Sequence, residues 1–147
     1  MDQEQIKEIN NVITRFLARR EYSAFELKQK LAQRGFDAKN VDKQLDLFIQ
    51  KKLQSDRRYA QSVVRIGYMN GKGPRYIEQK LKQQQIDESL YQSYMFSEEF
   101  DWFAKASEVR LKKYGDIQVI DFKVKQKQMR FLQSRGFDLE QIKEAFT

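Results

Sequence analysis

One pattern occurs three times along this 147-residue chain, and it limits the fold more than any single residue does. The first copy reads Leu27-Lys28-Gln29-Lys30-Leu31-Ala32-Gln33-Arg34-Gly35-Phe36-Asp37. The second reads Ile77-Glu78-Gln79-Lys80-Leu81-Lys82-Gln83-Gln84-Gln85-Ile86-Asp87. The third reads Gln128-Met129-Arg130-Phe131-Leu132-Gln133-Ser134-Arg135-Gly136-Phe137-Asp138. Further on, Val41, Tyr91 and Ile142 correspond, as do Leu45, Met95 and Phe146. Each copy reads as a helix, a turn and a second helix. Glycine tolerates the left-handed conformation that closes a helix. The apolar residue after it folds back on the helix just ended. The aspartate then caps the next helix by accepting from its free N–H groups. Asp138 with Gln141, and Ser23 with Glu26, have capping-box spacing. Gly73-Pro74 opens the central helix of the second copy, proline being suited to the first helical position.

Upstream of each copy, apolar residues recur at helical spacing: Ile6, Ile9, Ile13, Phe16 and Leu17 in the first case, Ala60, Val63, Val64 and Gly67 in the second. A preceding helix therefore completes each unit, over about 5–19, 56–70 and 98–114. Asp121-Phe122-Lys123-Val124-Lys125 alternates briefly but is flanked by helical pattern and reads as helix. The expected fold is all-α: about nine helices in three tandem three-helix repeats, residues 1–53, 54–97 and 98–147. Such modules stack into an elongated, curved array with an extended face for a partner. Gln85 stands where the other two copies have glycine, so that turn is either left-handed at a modest penalty or different in shape.

With 40% hydrophobic and 33% charged residues, the chain can build a core. It has no apolar run near the roughly 20 residues that span a bilayer. Its acidic N-terminus lacks the apolar stretch of a secretory signal. Cysteine and histidine are both absent. That removes disulfides, thiolate chemistry and the commonest general base and metal ligand. The chain is read as cytoplasmic, with no cofactor, no metal and no catalytic residue.

The net charge of +7 is unevenly distributed. Residues 51–97 hold nine basic and four acidic side chains, whereas residues 1–50 hold nine and eight and residues 98–147 ten and nine. The candidate partner-binding residues are accordingly Arg57, Arg58, Arg65, Lys72, Arg75, Lys80 and Lys82, weighed against an ordinary solvated surface. Gly71-Lys72-Gly73 before a helix start suggests an anion cradle, but it lacks nucleotide-loop spacing and reads better as a plain turn. Glu98, Glu99 and Asp101 read as acids at a helix start, not a metal site. Trp102, Phe100 and Phe103 read as packing residues. Tyr22, Tyr59, Tyr68 and Tyr76 read as amphipathic packing rather than base stacking.

Several stretches resemble the RecX family. Arg19-Arg20-Glu21-Tyr22-Ser23 with Glu26-Leu27 and Lys30-Leu31 is similar to its opening motif, and Arg34-Gly35-Phe36-Asp37 to the turn that follows. Ser55-Asp56-Arg57-Arg58-Tyr59-Ala60 resembles its Asp-Asp-x-Arg-Phe-Ala segment. Gly71-Lys72-Gly73-Pro74-Arg75-Tyr76-Ile77 resembles its Gly-x-Gly-Pro-x-x-Ile helix start, and Phe131 to Phe137 its last repeat. Ser55 and Gln85 depart from the pattern. The resemblance implies a non-catalytic, monomeric regulator that binds RecA and the RecA–DNA filament. It would limit filament growth or promote disassembly, and so lower ATP hydrolysis, strand exchange and the co-protease activity of the SOS response. Two other classes remain: a sequence-independent DNA-binding protein acting without RecA, and a hydrolase or transferase, which no acid–base pair, nucleophile motif or metal constellation supports.

Overall fold

Polar residues at the segment boundaries decide where the helices begin. In the computed structural model, which describes residues 2–147, the elements are α1 (Asp2–Arg19), α2 (Ala24–Gln33), α3 (Ala38–Gln50), α4 (Asp56–Met69), α5 (Pro74–Gln83), a 3-10 turn (Glu88–Leu90), α6 (Gln92–Met95), α7 (Trp102–Tyr114), α8 (Phe122–Ser134) and α9 (Leu139–Glu144). No strand occurs among the described residues. Asp37 accepts from Lys39 N at 2.9 Å, Asp87 from Ser89 N at 3.1 Å and Asp138 from Gln141 N at 2.9 Å, so all three repeat aspartates cap. Asp138 and Gln141 form the full capping box. Ser23 and Glu26 form only half of the expected one. Ser23 Oγ accepts from Glu26 N, but the Glu26 carboxylate turns to Arg20, at 2.9 Å and 3.3 Å.

The turns follow the sequence closely. Gly35 and Gly136 adopt φ of +84° and +101°, and Gln85 takes the left-handed conformation at φ +56° despite its side chain. A non-glycine residue there carries steric strain of about 1 kcal/mol. Gln85→Gly is therefore expected to stabilise the chain by roughly 0.5–1 kcal/mol, read as a rise in the chemical-denaturation midpoint at unchanged m-value.

Two expectations need correction. The final helix of the second repeat is not continuous. Asp87 starts a 3-10 turn, Tyr91 leaves it at φ −138°, and α6 is a single turn. Ser89, Tyr91, Ser93 and Tyr94 are all modest helix formers, and the exposed Ser89 hydroxyl bonds back to the Asp87 carboxylate, a local bond that competes with the helix. Tyr91 and Met95 nevertheless reach the core, at 2% and 0% exposure. The first helix of the third repeat begins at Trp102, not 98. Asp101 caps it through Ala104 N, and Glu98 and Glu99 lie in the preceding turn. Trp102 and Phe100 are buried as expected, but Phe103 is exposed.

Every substantial helix–helix packing falls within a repeat: α1 and α2 on α3, α4 on α5 and α6, α7 and α8 on α9. The accessible surface of 9,934 Å² exceeds the about 7,900 Å² expected of a compact monomer of this mass, as a linear arrangement requires. Among the described residues, however, the cores number two. Ile9, Ile13, Leu27, Leu31, Val41 and Leu45 form one within the first repeat. A second runs through both later repeats, from Tyr59 and Val64 through Leu81, Met95 and Trp102 to Leu132 and Ile142.

In the third repeat a polar pair enters that core. Arg110 and Gln128 occupy the helix positions that Val64 and Ile77 hold in the second. Both are buried, and Arg110 Nε donates to Gln128 Oε1 at 3.0 Å. Arg110 also donates to the Ala145 carbonyl at the end of α9 and lies 4.3 Å from the Phe146 ring centroid. The guanidinium thus meets neutral acceptors and a helix C-terminus rather than a carboxylate. Arg110→Ala should cost about 2–4 kcal/mol, because it orphans Gln128 and the carbonyls. The double change Arg110→Leu with Gln128→Leu should be close to neutral in the same denaturation experiment. A double variant as unstable as the single one would show that the polar pair has a role beyond mutual satisfaction.

Candidate partner-binding surface

The junctions between repeats position the basic side chains, and the two junctions differ in kind. Between the first and second repeats the links are polar. Arg58 Nε meets Glu21 Oε2 at 3.0 Å. Asp56 Oδ1 accepts from Ala24 N and from Gln54 Nε2, and Gln54 also donates to the Tyr22 carbonyl. Ser23 Oγ donates to Gln84 Oε1 at 2.8 Å. Ser55, the departure from the family motif, caps α4 by accepting from Arg58 N. The substitution therefore keeps the helix start, and the tether to the first repeat belongs to Asp56.

Between the second and third repeats the contact is apolar and backbone-to-backbone. Tyr68 on α4 packs edge-on against Phe100 and Trp102, each with ring centroids 5.1 Å apart. Gly73 N donates to the Arg135 carbonyl at 2.8 Å, and Arg75 N donates to the Gly136 carbonyl at 2.9 Å. The N-terminus of α5 is thus capped by the turn after α8. Gly71-Lys72-Gly73 is accordingly a docking turn and not an open anion cradle, because the Gly73 and Arg75 N–H groups that would hold the anion already have partners.

The seven basic candidates divide among different faces. Among the described residues the ion pairs are Arg20–Glu26, Lys28–Asp42, Arg58–Glu21 and Lys105–Glu108. Arg58 alone of the seven is paired, and it ties two repeats together. Arg65 Nη1 donates to the Tyr94 hydroxyl at 3.3 Å. Arg57 is exposed at the start of α4. Lys72 and Lys80 open on a cleft of about 470 Å³ between the first two repeats, together with Arg20, Tyr59, Ile66 and Tyr76. Lys72 Nζ lies 4.6 Å from the Tyr76 ring centroid. Arg75 faces a different cavity, at the third repeat. Lys82 is one helical repeat of seven residues from Arg75 and shares its side of α5.

Electrostatics inside the cleft hold one cation in place. Burial opposes the charge of Arg20, but the hydrogen bond and charge of Glu26 outweigh it and raise its pKa above the ordinary value. Burial, then Glu26, push the Tyr59 hydroxyl up, with Arg20 pulling the other way. Arg20, 3.6 Å over the Tyr22 ring, is thus a fixed wall of the cleft, and Lys72 and Lys80 supply its unpaired charge. The cleft presents cations, apolar surface and two carboxylates, Glu21 and Glu26, already paired with Arg58 and Arg20, and no nucleophile–base pair is found among these lining side chains. Among the described residues no group of three acids is placed to hold a metal ion, and Glu99 instead accepts from the Tyr94 hydroxyl.

Three family models match the chain in order: the first three-helix domain of RecX over residues 11–46, the second over 55–95 and the third over 99–146. The chain belongs to the RecX family. The regulatory protein RecX of Vibrio vulnificus is 34% identical over 131 residues, 89% of this chain and 86% of that protein. That of Legionella pneumophila is 39% identical over 132 residues, 90% and 88% of the two chains. The crystal structure of RecX from Lactobacillus salivarius superposes with a TM-score of 0.78 at 19% identity, covering 97% of this chain and 95% of that one, which shows the common fold. Relatives of this RecX chain are named regulatory proteins, not enzymes. No helix among its described residues is long and apolar enough to cross a membrane.

Sequence reasoning named the basic stretch but missed two things about it. It gave no sign that Arg58 is committed to Glu21. It also passed over α8 in the third repeat, whose Lys123, Lys125, Lys127 and Arg130 face no acid on the same helix. The near-balance of residues 98–147 concealed that segregation.

Proposed function

We propose that this RecX chain binds RecA and the RecA–DNA filament and inhibits recombinase activity, by limiting filament growth or promoting disassembly. The observation that carries the reading is the match of all three RecX domains, in order, across the chain. The surface is consistent with it. A linear array of helical modules offers a long face, and its central part carries unpaired cations suited to a polyanionic assembly. Arg57, Arg65, Lys72 and Lys80 are the side chains we assign to that contact, with Arg75 and Lys82 continuing it along α5. Arg58 acts through the junction it braces. On this reading the protein works in the cytoplasm as a monomer without a cofactor.

The test is single-strand-DNA-dependent ATP hydrolysis by the cognate RecA, with this protein titrated from far below stoichiometric to excess. Loss of hydrolysis at a small fraction of the RecA concentration is expected, because a blocked filament end stops many subunits from adding. No effect at any ratio, with salt-sensitive DNA binding by the protein alone, would replace this reading with independent DNA binding.

A further inference from the structure

Where the third repeat meets the second, a cavity of about 270 Å³ lies between two arginines from different repeats. Arg75 comes from α5 and Arg130 from α8. Leu139 and the partly exposed Met129 supply its apolar surface, with the buried Phe137 and Ile142 behind them. Both arginines are exposed, and neither takes part in any ion pair among the described residues. Leu139 is 56% exposed at the rim. On α8, Lys123, Lys127 and Arg130 follow one another at i, i+4 and i+7, so they share the solvent face.

We infer that this cavity is a docking site for an acidic peptide segment of a partner protein, which inserts one apolar side chain and sets flanking carboxylates on Arg75 and Arg130. The size supports one side chain, since small-molecule sites occupy about 300–1,000 Å³. Guanidinium forks match carboxylates in bidentate geometry, and binding energy concentrates where a few side chains, arginine among them, meet in a desolvated pocket. Lys123 and Lys127 extend the positive rim and speed encounter with an acidic chain. Nucleic acid fits less well. Single strands bind through aromatic faces open to bases, and the one aromatic ring here, Phe137, is 1% exposed. The site lies apart from the cleft of Lys72 and Lys80, shares only Arg75 with the contact proposed above, and stands whether or not RecA is the partner.

The experiment is an NMR titration of the full chain, methyl- and amide-labelled, with three probes: a short glutamate-rich peptide with a central leucine, the same peptide with alanine there, and oligothymidylate. The leucine peptide is expected to shift the Met129 and Ile142 methyls and the Gln126 and Gln133 side-chain amides. The alanine peptide should bind at least about tenfold more weakly, and Arg75→Glu or Arg130→Glu should each weaken the leucine peptide about tenfold or more. Arg130→Lys, which keeps charge but loses the fork, should fall between. Both arginines are exposed, so unchanged spectra elsewhere will show that the variants remain folded. Equal binding of the leucine and alanine peptides, shifts confined to other surfaces, oligothymidylate occupying this cavity in preference, or no binding by any probe would each overturn the proposal.

Discussion

Gly136→Ala is expected to lower the stability of the chain by roughly 3 kcal/mol or more, and its melting temperature by about 10 °C. Two effects combine at this one position. Its φ of +101° is costly for any residue with a side chain. In addition, a Cβ there would stand 2.5 Å from both the Cβ and the backbone nitrogen of Tyr76. The obstacle is backbone at the start of α5, which cannot rotate away as a side-chain tip would. The same contact seen from the other side is Gly73, whose Cβ would lie 2.3 Å from the Gly136 carbonyl carbon. Any retreat of α5 breaks the hydrogen bonds from Gly73 N to Arg135 and from Arg75 N to Gly136. The control is Gly35, the matching glycine of the first repeat. It has the same left-handed turn at φ +84°, but nothing lies within 4 Å of its would-be Cβ. Gly35→Ala should cost only about 1 kcal/mol of conformational strain. If the two alanine variants melt together, the close approach of the two turns is not structurally important.

That contrast also marks how far the sequence could be read. Glycine, apolar residue and aspartate announce a helix-closing turn at 35–37 and 136–138 alike, because turn chemistry is local. Leu31, Leu81 and Leu132 are each fully buried, as their shared place in the pattern requires. What the pattern does not contain is which turns meet. Gly35 faces solvent and Gly136 clamps α5, although both sit in the same Arg-Gly-Phe-Asp string. The same limit applies to Arg110, whose neighbours Gln128 and Ala145 come from other helices. It applies to Glu26 too, where capping-box spacing lost to the nearby Arg20 guanidinium. The break between Glu88 and Gln92 had a signal, a run of serine and tyrosine in a weakly helical segment, but buried Tyr91 and Met95 preserve helical periodicity and mask it. Charge was legible as a total for each stretch but not as a surface. One run of basic residues feeds two clefts and an internal ion pair, while the acid-free α8 lies hidden in a neutral-looking segment.

The division of the basic stretch sets the second large expected effect. Reversing Arg57, Lys72 and Lys80 together to Glu should raise the concentration needed for half-inhibition of RecA ATP hydrolysis by at least about 100-fold. On the function proposed above, three attractive contacts with a polyanionic assembly would become repulsive, and like charges forced together cost several kcal/mol. None of the three takes part in an ion pair among the described residues, so melting temperature should change little. Arg58→Glu is the informative opposite. It sets two carboxylates, its own and that of Glu21, where a 3.0 Å ion pair now joins the first and second repeats, and it removes the bond to the Leu53 carbonyl. Its effect should appear as weakened protection from hydrogen exchange around residues 20–24 and 53–58, and inhibition should fall because the first repeat no longer holds its angle to the second. Restoring the pair with the opposite charges, Glu21→Arg on the Arg58→Glu background, should recover inhibition, because the bridge and not the arginine itself is what matters there. If the triple reversal inhibits at wild-type concentrations while staying folded, the cleft is not part of the RecA contact. If Glu21→Arg fails to rescue Arg58→Glu, then Arg58 touches the partner directly and the polar junction is not its role.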